Sequence, residues 1–237
     1  MEIIKKNQLL DTLLFETASI FEKYNVQWWL ECGTLLGMAR QSDYLEWEDD
    51  IDLGGWSSSL DILRRPDLVA DFARVGIRLV IQDYTATMWK GEHVYLDINF
   101  YRIEGDYLIM DRWLPNFSLA VLVKVMHRVA CSPKYYDYSW SFKKKNVAIN
   151  LSKLICQFIP PTWIVKVLEF FLPKCQNYSP WRVPKKFFNE EFKSVIFRGL
   201  SVLVPPDYHG YLSYRYGDNW HVPNKDWDTE TQDATIV

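Results

Sequence analysis

The sequence predicts a mixed α+β domain, and three observations carry that prediction. Apolar residues recur at helical spacing from 3 to 24, which indicates an amphipathic helix. Residues 93–101 alternate polar and apolar side chains, which is typical of a half-buried strand. Of the 237 residues, 49% are hydrophobic and 16% are aromatic, so the chain has enough apolar surface for a well-filled core.

The first hundred residues are predicted to alternate between helix and strand. Runs of β-forming residues mark the strands, and Ser or Pro beside a helical apolar pattern marks a helix start. In chain order we expect a helix at 3–24, a strand at 26–31, a short helix from 33, a carboxylate-rich strand ending at 54, one or two helices within 57–76, a strand at 77–81, a connection at 85–91 and the strand at 93–101.

Residues 112–186 are predicted to be a helical, basic insertion within a single domain that spans residues 1–237. The segment holds 13 Lys or Arg against two acidic residues, whereas the whole chain has a net charge of −3. Its two apolar runs, 117–130 and 149–172, are interrupted by lysines and prolines, which excludes a transmembrane helix. Lysines among aromatic residues fit a membrane interface. They also fit a subdomain packed on the core, so both alternatives stand.

The final part of the chain is predicted to hold a hairpin and a helix. Residues 195–204 are β-forming with Arg198 and Gly199 at a turn, and a helix follows from Asp207 to Tyr216, with Gly217 as its C-cap. From about Thr229 onward we expect disorder.

Composition also bounds location and partners. The four cysteines are spaced too widely for a zinc motif and are too few for a disulfide scaffold, so we interpret them as reduced. The first residues lack an apolar signal region, which favours a cytoplasmic location, with peripheral contact at the inner membrane face through 112–186. Nucleic acid is not expected as a partner, because the rest of the chain is acidic and no nucleic-acid-binding motif is present.

Three carboxylates on one predicted strand form the first candidate site. Side chains on a strand alternate between faces, so Glu48, Asp50 and Asp52 would project the same way. Such crowding is unfavourable without a compensating cation, and carboxylate oxygens suit a divalent metal. Asp97 would add a third acid to Asp50 and Asp52 if strand 93–101 lies beside theirs. The alternative is a solvated acidic loop.

A second candidate site lies where strand 26–31 meets the following helix. Gly33 and Thr34 would leave backbone N–H groups free and add a hydroxyl, which suits a phosphate. Arg40, further along the helix, would reach the same anion or simply be an exposed cation at the helix end. His93 and Tyr95 would either contact substrate or face solvent. The other histidines are scattered, so histidine-based catalysis is not indicated.

Two separated stretches resemble the LicD family, which includes bacterial phosphocholine transferases and the fukutin-related proteins. GTLLGMAR at 33–40 and WEDDIDLG at 47–54 are similar to that family's GTLLG-x-x-R and W-D-D-D-I-D signatures. VPPDYHGYLSYRYGDNW at 204–220 is similar to its closing segment. The resemblance implies a nucleotidyltransferase-like core related to the polymerase β superfamily, with a mixed β-sheet flanked by helices and a bound Mg²⁺ or Mn²⁺.

The resemblance also implies roles for individual residues. By matching position, Asp50 and Asp52 would be the catalytic, metal-binding pair, with Asp97 as the third acid. Gly33 and Thr34 would form the phosphate turn. Glu48 stands where the family more often has Asp.

The activity implied by this resemblance is phosphotransfer. A phospho-alcohol, most simply phosphocholine, would move from a CDP-activated alcohol donor to a hydroxyl of a cell-surface glycan or its lipid-linked precursor. Two alternatives remain open at this point. The chain could transfer a nucleotidyl group itself, or it could be an inactive module that binds a glycan or a membrane.

Overall fold

A computed structural model describes residues 3–82, 84–91, 94–115 and 176–236. The chain divides into two compact units, Met1–Asp111 with Pro180–Val237, and Arg112–Ser179. The predicted helical character of the insertion, its two apolar runs and His93 lie outside the described residues, so these stay predictions. In the second unit, β7 (Trp113–Pro115) pairs antiparallel with β8 (Gln176–Tyr178).

The larger unit carries the other described elements. Before residue 112 these are α1 (Ile3–Lys23), β1 (Trp28–Leu30), α2 (Cys32–Gln41), β2 (Asp50–Trp56), a 3-10 turn (Ser57–Ser59), α3 (Leu60–Leu63), α4 (Pro66–Arg74), β3 (Ile77–Gln82), β4 (Thr85–Lys90), β5 (Val94–Glu104) and β6 (Tyr107–Met110). After residue 179 they are β9 (Trp181–Pro184), a 3-10 turn (Lys185–Phe188), β10 (Lys193–Phe197), β11 (Leu200–Val204), α5 (Tyr208–Tyr216) and α6 (Thr229–Gln232).

Seven of the described strands form one mixed sheet. Five of them lie in the order β1-β2-β5-β4-β3, and β6 joins β5 to β9. The β2–β5 pair is parallel and its neighbours are antiparallel, which confirms the predicted mixed α+β class. The sequence-based connection at 85–91 is wrong, because β4 lies there between β5 and β3. The strand pattern of β4 is present in the sequence but weak: buried Ala86 and Met88 alternate with threonines.

The helices cover the sheet through a continuous apolar core. Helix α1 buries Leu10, Leu13 and Phe21, and the Phe21 ring meets the Phe72 ring of α4 edge-on at 6.0 Å between centroids. On β1, the fully buried Trp29 lies 5.0 Å from the ring of Trp56. The predicted helix at 3–24 is thereby confirmed as a core-facing element.

The hairpin and the helix predicted near residue 200 are both confirmed. Strands β10 and β11 pair antiparallel around Arg198 and Gly199, whose φ angles of 54° and 83° form the turn. The Asp207 carboxylate caps α5 by accepting a hydrogen bond from Gly210 N at 3.0 Å. Gly217, with φ of 84°, ends the same helix.

The expectation of disorder from about Thr229 is wrong for the described residues. Helix α6 is followed by a bridge between Ile236 and Trp181. The anchor is Asp233, whose carboxylate lies 2.7 Å from buried Arg215. Local composition cannot predict this ion pair, because the partner of Asp233, Arg215, belongs to another helix. Among the described residues, no helix is long and apolar enough to cross a membrane.

Asp71 on α4 should make the fold more stable at neutral pH than in acid. Lys23, Arg74 and the Tyr24 hydroxyl surround its carboxylate, and the hydrogen bond from Lys23 contributes most to lowering its pKa to about 2. Because an unfolded Asp has a pKa of about 3.9, the stabilisation is complete above that pH and is lost as pH falls towards 2.

Urea unfolding of the wild type and of Asp71→Asn at pH 7 and pH 2.5 would check this expectation. The substitution should lower stability at pH 7 and have a smaller effect at pH 2.5. An equal effect at both values would contradict the assignment.

Candidate functional site

The junction of β1 and α2 holds Asp52 by three backbone or hydroxyl contacts. Asp52 N donates to Thr34 Oγ1 at 2.8 Å, and Gly33 N donates to Asp52 Oδ2 at 3.1 Å. Glu31 N donates to Asp52 O at 3.1 Å. The helix start predicted as a phosphate turn therefore fixes the position of the Asp52 carboxylate in this structure.

The backbone conformation at Cys32 explains why the helix starts so abruptly. Glu31 is extended, whereas Cys32 has a φ of 45°, a left-handed conformation that is uncommon for a residue with a side chain. This turn points the first N–H groups of α2 towards β2. A carboxylate at a helix N-terminus is stabilised by the positive end of the helix dipole, which favours this position for Asp52.

A cavity of about 500 Å³ opens above this junction. Its volume is within the range of about 300–1,000 Å³ that is usual for small-molecule and cofactor sites. Its lining combines carboxylates with several aromatic side chains. The lining residues are Cys32, Gly33, Leu36, Arg40, Leu45, Trp47, Glu48, Asp50, Asp52, Trp181, Arg215, Tyr216, Asn219, Trp220, Val222, Pro223, Asn224, Lys225, Trp227 and Thr229.

The carboxylates beside the cavity are partly buried and have other acids nearby, which disfavours their charged forms. Burial, followed by the charges of Asp50, Glu48 and Asp97, raises the pKa of Asp52 well above its usual value. Burial and Asp50 together raise the pKa of Glu48 to about 8. The pKa of Asp50 is raised chiefly by burial, although a hydrogen bond from Tyr95 opposes the rise. A bound cation would relieve this repulsion.

The donor set fits a hard divalent cation. Glu48, Asp50 and Asp52 offer only carboxylate oxygens, which Mg²⁺ and Mn²⁺ prefer over nitrogen or sulfur ligands. Within the described ranges, no three Asp, Glu, His or Cys side chains already stand close enough to form a ready-made metal site. The carboxylates would therefore have to converge on the cation when it binds.

The structure places Asp97 beside Asp52. This adjacency is the condition under which the sequence predicts Asp97 as a third acid. The two residues are Cα partners in the parallel β2–β5 ladder, and Asp97 adds to the negative charge felt by Asp52. Asp97 is not one of the residues that line the cavity. Direct metal coordination by Asp97 therefore stays a prediction.

Thr34 and Arg40 have structural contacts that the sequence did not reveal. Thr34 is only 1% exposed, lies outside the cavity lining and accepts the hydrogen bond from Asp52. Arg40 lines the cavity, and its guanidinium donates to Trp220 O at 2.6 Å and to Val222 O at 3.0 Å. Phosphate binding by Gly33, Thr34 and Arg40 stays a prediction, with Gly33 and Arg40 the two that reach the cavity.

Lys6 supports the loop that carries Glu46 and Glu48, a contact that sequence reasoning missed. Its side chain is 5% exposed, and Lys6 Nζ donates to Glu46 O at 2.8 Å and to Glu48 O at 2.6 Å. The ammonium group therefore fixes the loop that leads into β2. Nothing in the helical pattern of residues 3–24 distinguishes Lys6 from a surface lysine.

A buried polar network next to Cys32 was also missed. Glu31 accepts hydrogen bonds from the hydroxyls of Tyr101 and Tyr211, the latter at 3.2 Å, and from Asn99 Nδ2 at 3.3 Å. Arg215 donates to Tyr211 Oη at 2.8 Å. The one available signal was Glu31 itself, a charged residue at the end of the apolar strand segment VQWWLE.

Gly33→Ala should reduce activity much more than stability. A Cβ at Gly33 would lie 2.1 Å from Glu48 Oε2, so the Glu48 carboxylate would have to turn away. A flexible side chain moves at little cost, but a displacement of about 1 Å at a reacting centre lowers rates by about 10²-fold. We expect a small change in melting temperature and a large drop in turnover.

Gly37→Ala is the matched control for this prediction. Its Cβ would meet the backbone oxygen of Asp43 at 2.5 Å, which cannot move as a side chain does. We expect Gly37→Ala to lower the melting temperature more than Gly33→Ala does. Normal turnover in Gly33→Ala would contradict the tight packing of Glu48 on Gly33.

Fold and site together define a mixed α+β domain with a carboxylate-lined cavity at a strand–helix junction. Residues 25–121 match the family model described as LicD/FKTN/FKRP, nucleotidyltransferase domain. The resemblance to the LicD family is thereby confirmed over that part of the chain, which contains every predicted site residue.

Two curated relatives extend the comparison. The chain is 30% identical over 102 residues to the ribitol-5-phosphate transferase FKTN of Mus musculus, which covers 40% of this chain and 21% of that protein. It is 31% identical over 75 residues to an uncharacterized protein, RT0683, of Rickettsia typhi, covering 32% of this chain and 24% of that one. The matched part thus spans less than a quarter of each relative.

Two solved structures are similar at low identity. The solution structure of the antibiotic-resistance factor ANT(2'')-Ia matches with a TM-score of 0.34 at 18% identity, over 71% of this chain and 93% of that one. The lincomycin-bound lincosamide antibiotic adenylyltransferase LnuA matches with a TM-score of 0.32 at 14% identity, over 60% and 95%.

Proposed function

We propose that this protein is a metal-dependent phosphotransferase that moves a phospho-alcohol from a CDP-activated donor to a hydroxyl of a glycan or a lipid-linked glycan. The observation that carries the proposal is that Asp50, Asp52 and Glu48 all line one cavity, where burial and neighbouring acids raise the pKa of each carboxylate. The match to the LicD model over residues 25–121 supports the same class of reaction.

In this mechanism Asp50 and Asp52 would hold Mg²⁺ or Mn²⁺. When bound there, the cation would neutralise charge on the donor diphosphate, whose two phosphorus atoms are joined through a bridging oxygen. Gly33 N holds the Asp52 carboxylate, Thr34 holds the Asp52 backbone N–H, and Asp97 lies beside Asp52 on the neighbouring strand. Such chemistry depends on positioning and charge stabilisation.

The group transfer balances as a displacement at one phosphorus atom. The acceptor hydroxyl oxygen forms the new P–O bond, and the P–O bond to the leaving CMP breaks. The hydroxyl proton passes to a carboxylate of the site, and Arg40 lies at the cavity wall where it can bind a phosphate oxygen.

The head group is the least constrained part of the proposal. Phosphocholine is the group that the sequence resemblance favours, whereas the mouse relative is named for ribitol 5-phosphate. Transfer of a nucleotidyl group is the second candidate, because the matching model is described as a nucleotidyltransferase domain. A cytoplasmic location and membrane contact through 112–186 belong to the same proposal.

Release of CMP from defined donors tests the function. The full chain would be incubated with CDP-choline, CDP-ribitol, CDP-glycerol or CDP-ethanolamine, with Mg²⁺ or Mn²⁺, and with a glycan preparation as acceptor. We expect CMP release from one donor, with a phosphodiester product identified by mass. A product carrying NMP would support the second candidate, and silence with every donor would overturn the transferase assignment.

A further inference from the structure

Four aromatic side chains that line the cavity form what we call the aromatic wall. It consists of Trp47 from the loop before β2, Tyr216 at the end of α5, and Trp220 and Trp227 from the segment that follows. Trp47 is 38% exposed, and the other three are partly buried. Exposed ring faces at a cavity can stack on a ligand.

The wall is held rigidly by contacts that reach back to α2. Arg40 donates to the carbonyls of Trp220 and Val222, 180 and 182 residues further along the chain. Trp220 N donates to Gly217 O at 3.0 Å, and the Tyr216 and Trp227 rings lie 4.9 Å apart. Because binding does not have to order these residues, less of their interaction energy is lost on ligand entry.

Cations already cover two of the aromatic rings that face the cavity. Lys225 Nζ lies 5.4 Å from the ring centre of Trp47, and the Arg215 guanidinium lies 5.9 Å from that of Tyr216. A ligand cation placed on the same wall would meet like charges, which disfavours an ammonium group there. A neutral, flat ring is the better match.

Polar groups on the wall match the edge of a nucleobase. Asn219 and Asn224 line the cavity, and Asn224 Oδ1 accepts a hydrogen bond from Asp226 N at 3.0 Å. That bond orients the Asn224 amide, so its NH₂ group is the part that can donate to a ligand. Nucleobases offer ring nitrogen and carbonyl acceptors together with a π-face.

We propose that the aromatic wall binds the nucleobase of the donor, with Trp220 and Trp227 as stacking residues and Asn224 as a hydrogen-bond donor. This inference rests on the proposed function, because it assigns one end of the donor to the wall and the diphosphate to the carboxylates. The alcohol head group then lies away from the wall.

Equilibrium binding of cytidine and CMP to the full chain tests the wall independently of turnover. Trp220→Leu and Trp227→Leu should each weaken binding about 10-fold, the size expected for loss of one base–aromatic stack. Trp220→Phe and Trp227→Phe keep a ring and should retain most of the affinity. Asp49→Asn should leave cytidine binding unchanged, because Asp49 is exposed and does not line the cavity.

The outcomes separate this inference from the proposed function. If CMP release from a CDP-alcohol proceeds but the leucine variants bind cytidine normally, the wall assignment is overturned and the function stands. If cytidine binding depends on the wall but no donor is turned over, the function fails and the nucleobase site stands. Choline binding to the wall without cytidine binding would overturn the inference.

Discussion

Asp50→Asn and Asp52→Asn are each expected to lower transfer by at least about 10³-fold, because each removes a charged ligand from the proposed metal site. Both carboxylates line the cavity, and Asp52 is fixed by Gly33 and Thr34. An asparagine is nearly the same size, so the effect should come from charge. The measurement is CMP release at saturating Mg²⁺, with Mn²⁺ binding as a second readout.

The same substitution at Asp52 should leave the protein as stable as the wild type or more so. Burial and neighbouring acids raise the pKa of Asp52 well above its usual value, which means that the charged form is disfavoured in the fold. A neutral amide removes that repulsion and its oxygen still accepts the hydrogen bond from Gly33 N. Lost activity with an unchanged or raised melting temperature would identify Asp52 as a functional residue.

Asp49→Asn is the matched control. Asp49 directly precedes Asp50 in sequence but is exposed and does not line the cavity. Its substitution should change turnover by less than about twofold, since isolated surface charges contribute little at such positions. Equal losses at 49 and 52, or normal turnover in Asp50→Asn, would contradict the metal mechanism.

The carboxylate strand could be predicted because its information is local. Alternation along residues 48–54 predicts three acids on one strand face, and alternation along 93–101 predicts Asp97 on a polar face. The first prediction holds for Asp50 and Asp52 only, because β2 begins at Asp50 and Glu48 lines the cavity from the preceding loop. The adjacency of the two strands could be stated only as a condition, because strand pairing is not encoded in either segment. The parallel β2–β5 ladder meets that condition and aligns Asp52 with Asp97.

The parts of the site that were missed depend on contacts between distant segments. No local pattern in the sequence shows that the Arg40 guanidinium contacts the carbonyls of Trp220 and Val222. Lys6 looks like a surface lysine until the loop at Glu48 folds over it. Composition likewise gave no sign that Asp233 anchors the segment after α6.

Arg215→Met is expected to cost about 3–5 kcal/mol of unfolding free energy, which is the usual effect of breaking a buried charge pair by removing one partner. Arg215 is 2% exposed, and its guanidinium lies 2.7 Å from Asp233 and 3.9 Å from Glu31. Without it, both carboxylates remain buried with less compensation. Urea unfolding at pH 7 measures the loss.

Arg74→Met is the control, because Arg74 also pairs with an aspartate but is 72% exposed. Exposed ion pairs contribute about 0–1 kcal/mol to stability. Arg215→Met should therefore lower the free energy of unfolding several-fold more than Arg74→Met does. Comparable losses would show that Arg215 acts through packing on Trp181 and not through charge.

A double-variant cycle decides what the buried charge contributes. Burial raises the pKa of Glu31 even though Arg215 and the Tyr101 hydroxyl oppose the rise, so removal of Arg215 should make the charged form of Glu31 still less favourable. Glu31→Gln placed in the Arg215→Met background should therefore recover part of the lost stability. Strict additivity would mean that the two charges are not coupled. Glu31 N also donates to Asp52 O. If the double variant recovers stability but not turnover, the buried charge pair supports the fold and the position of the carboxylate site separately.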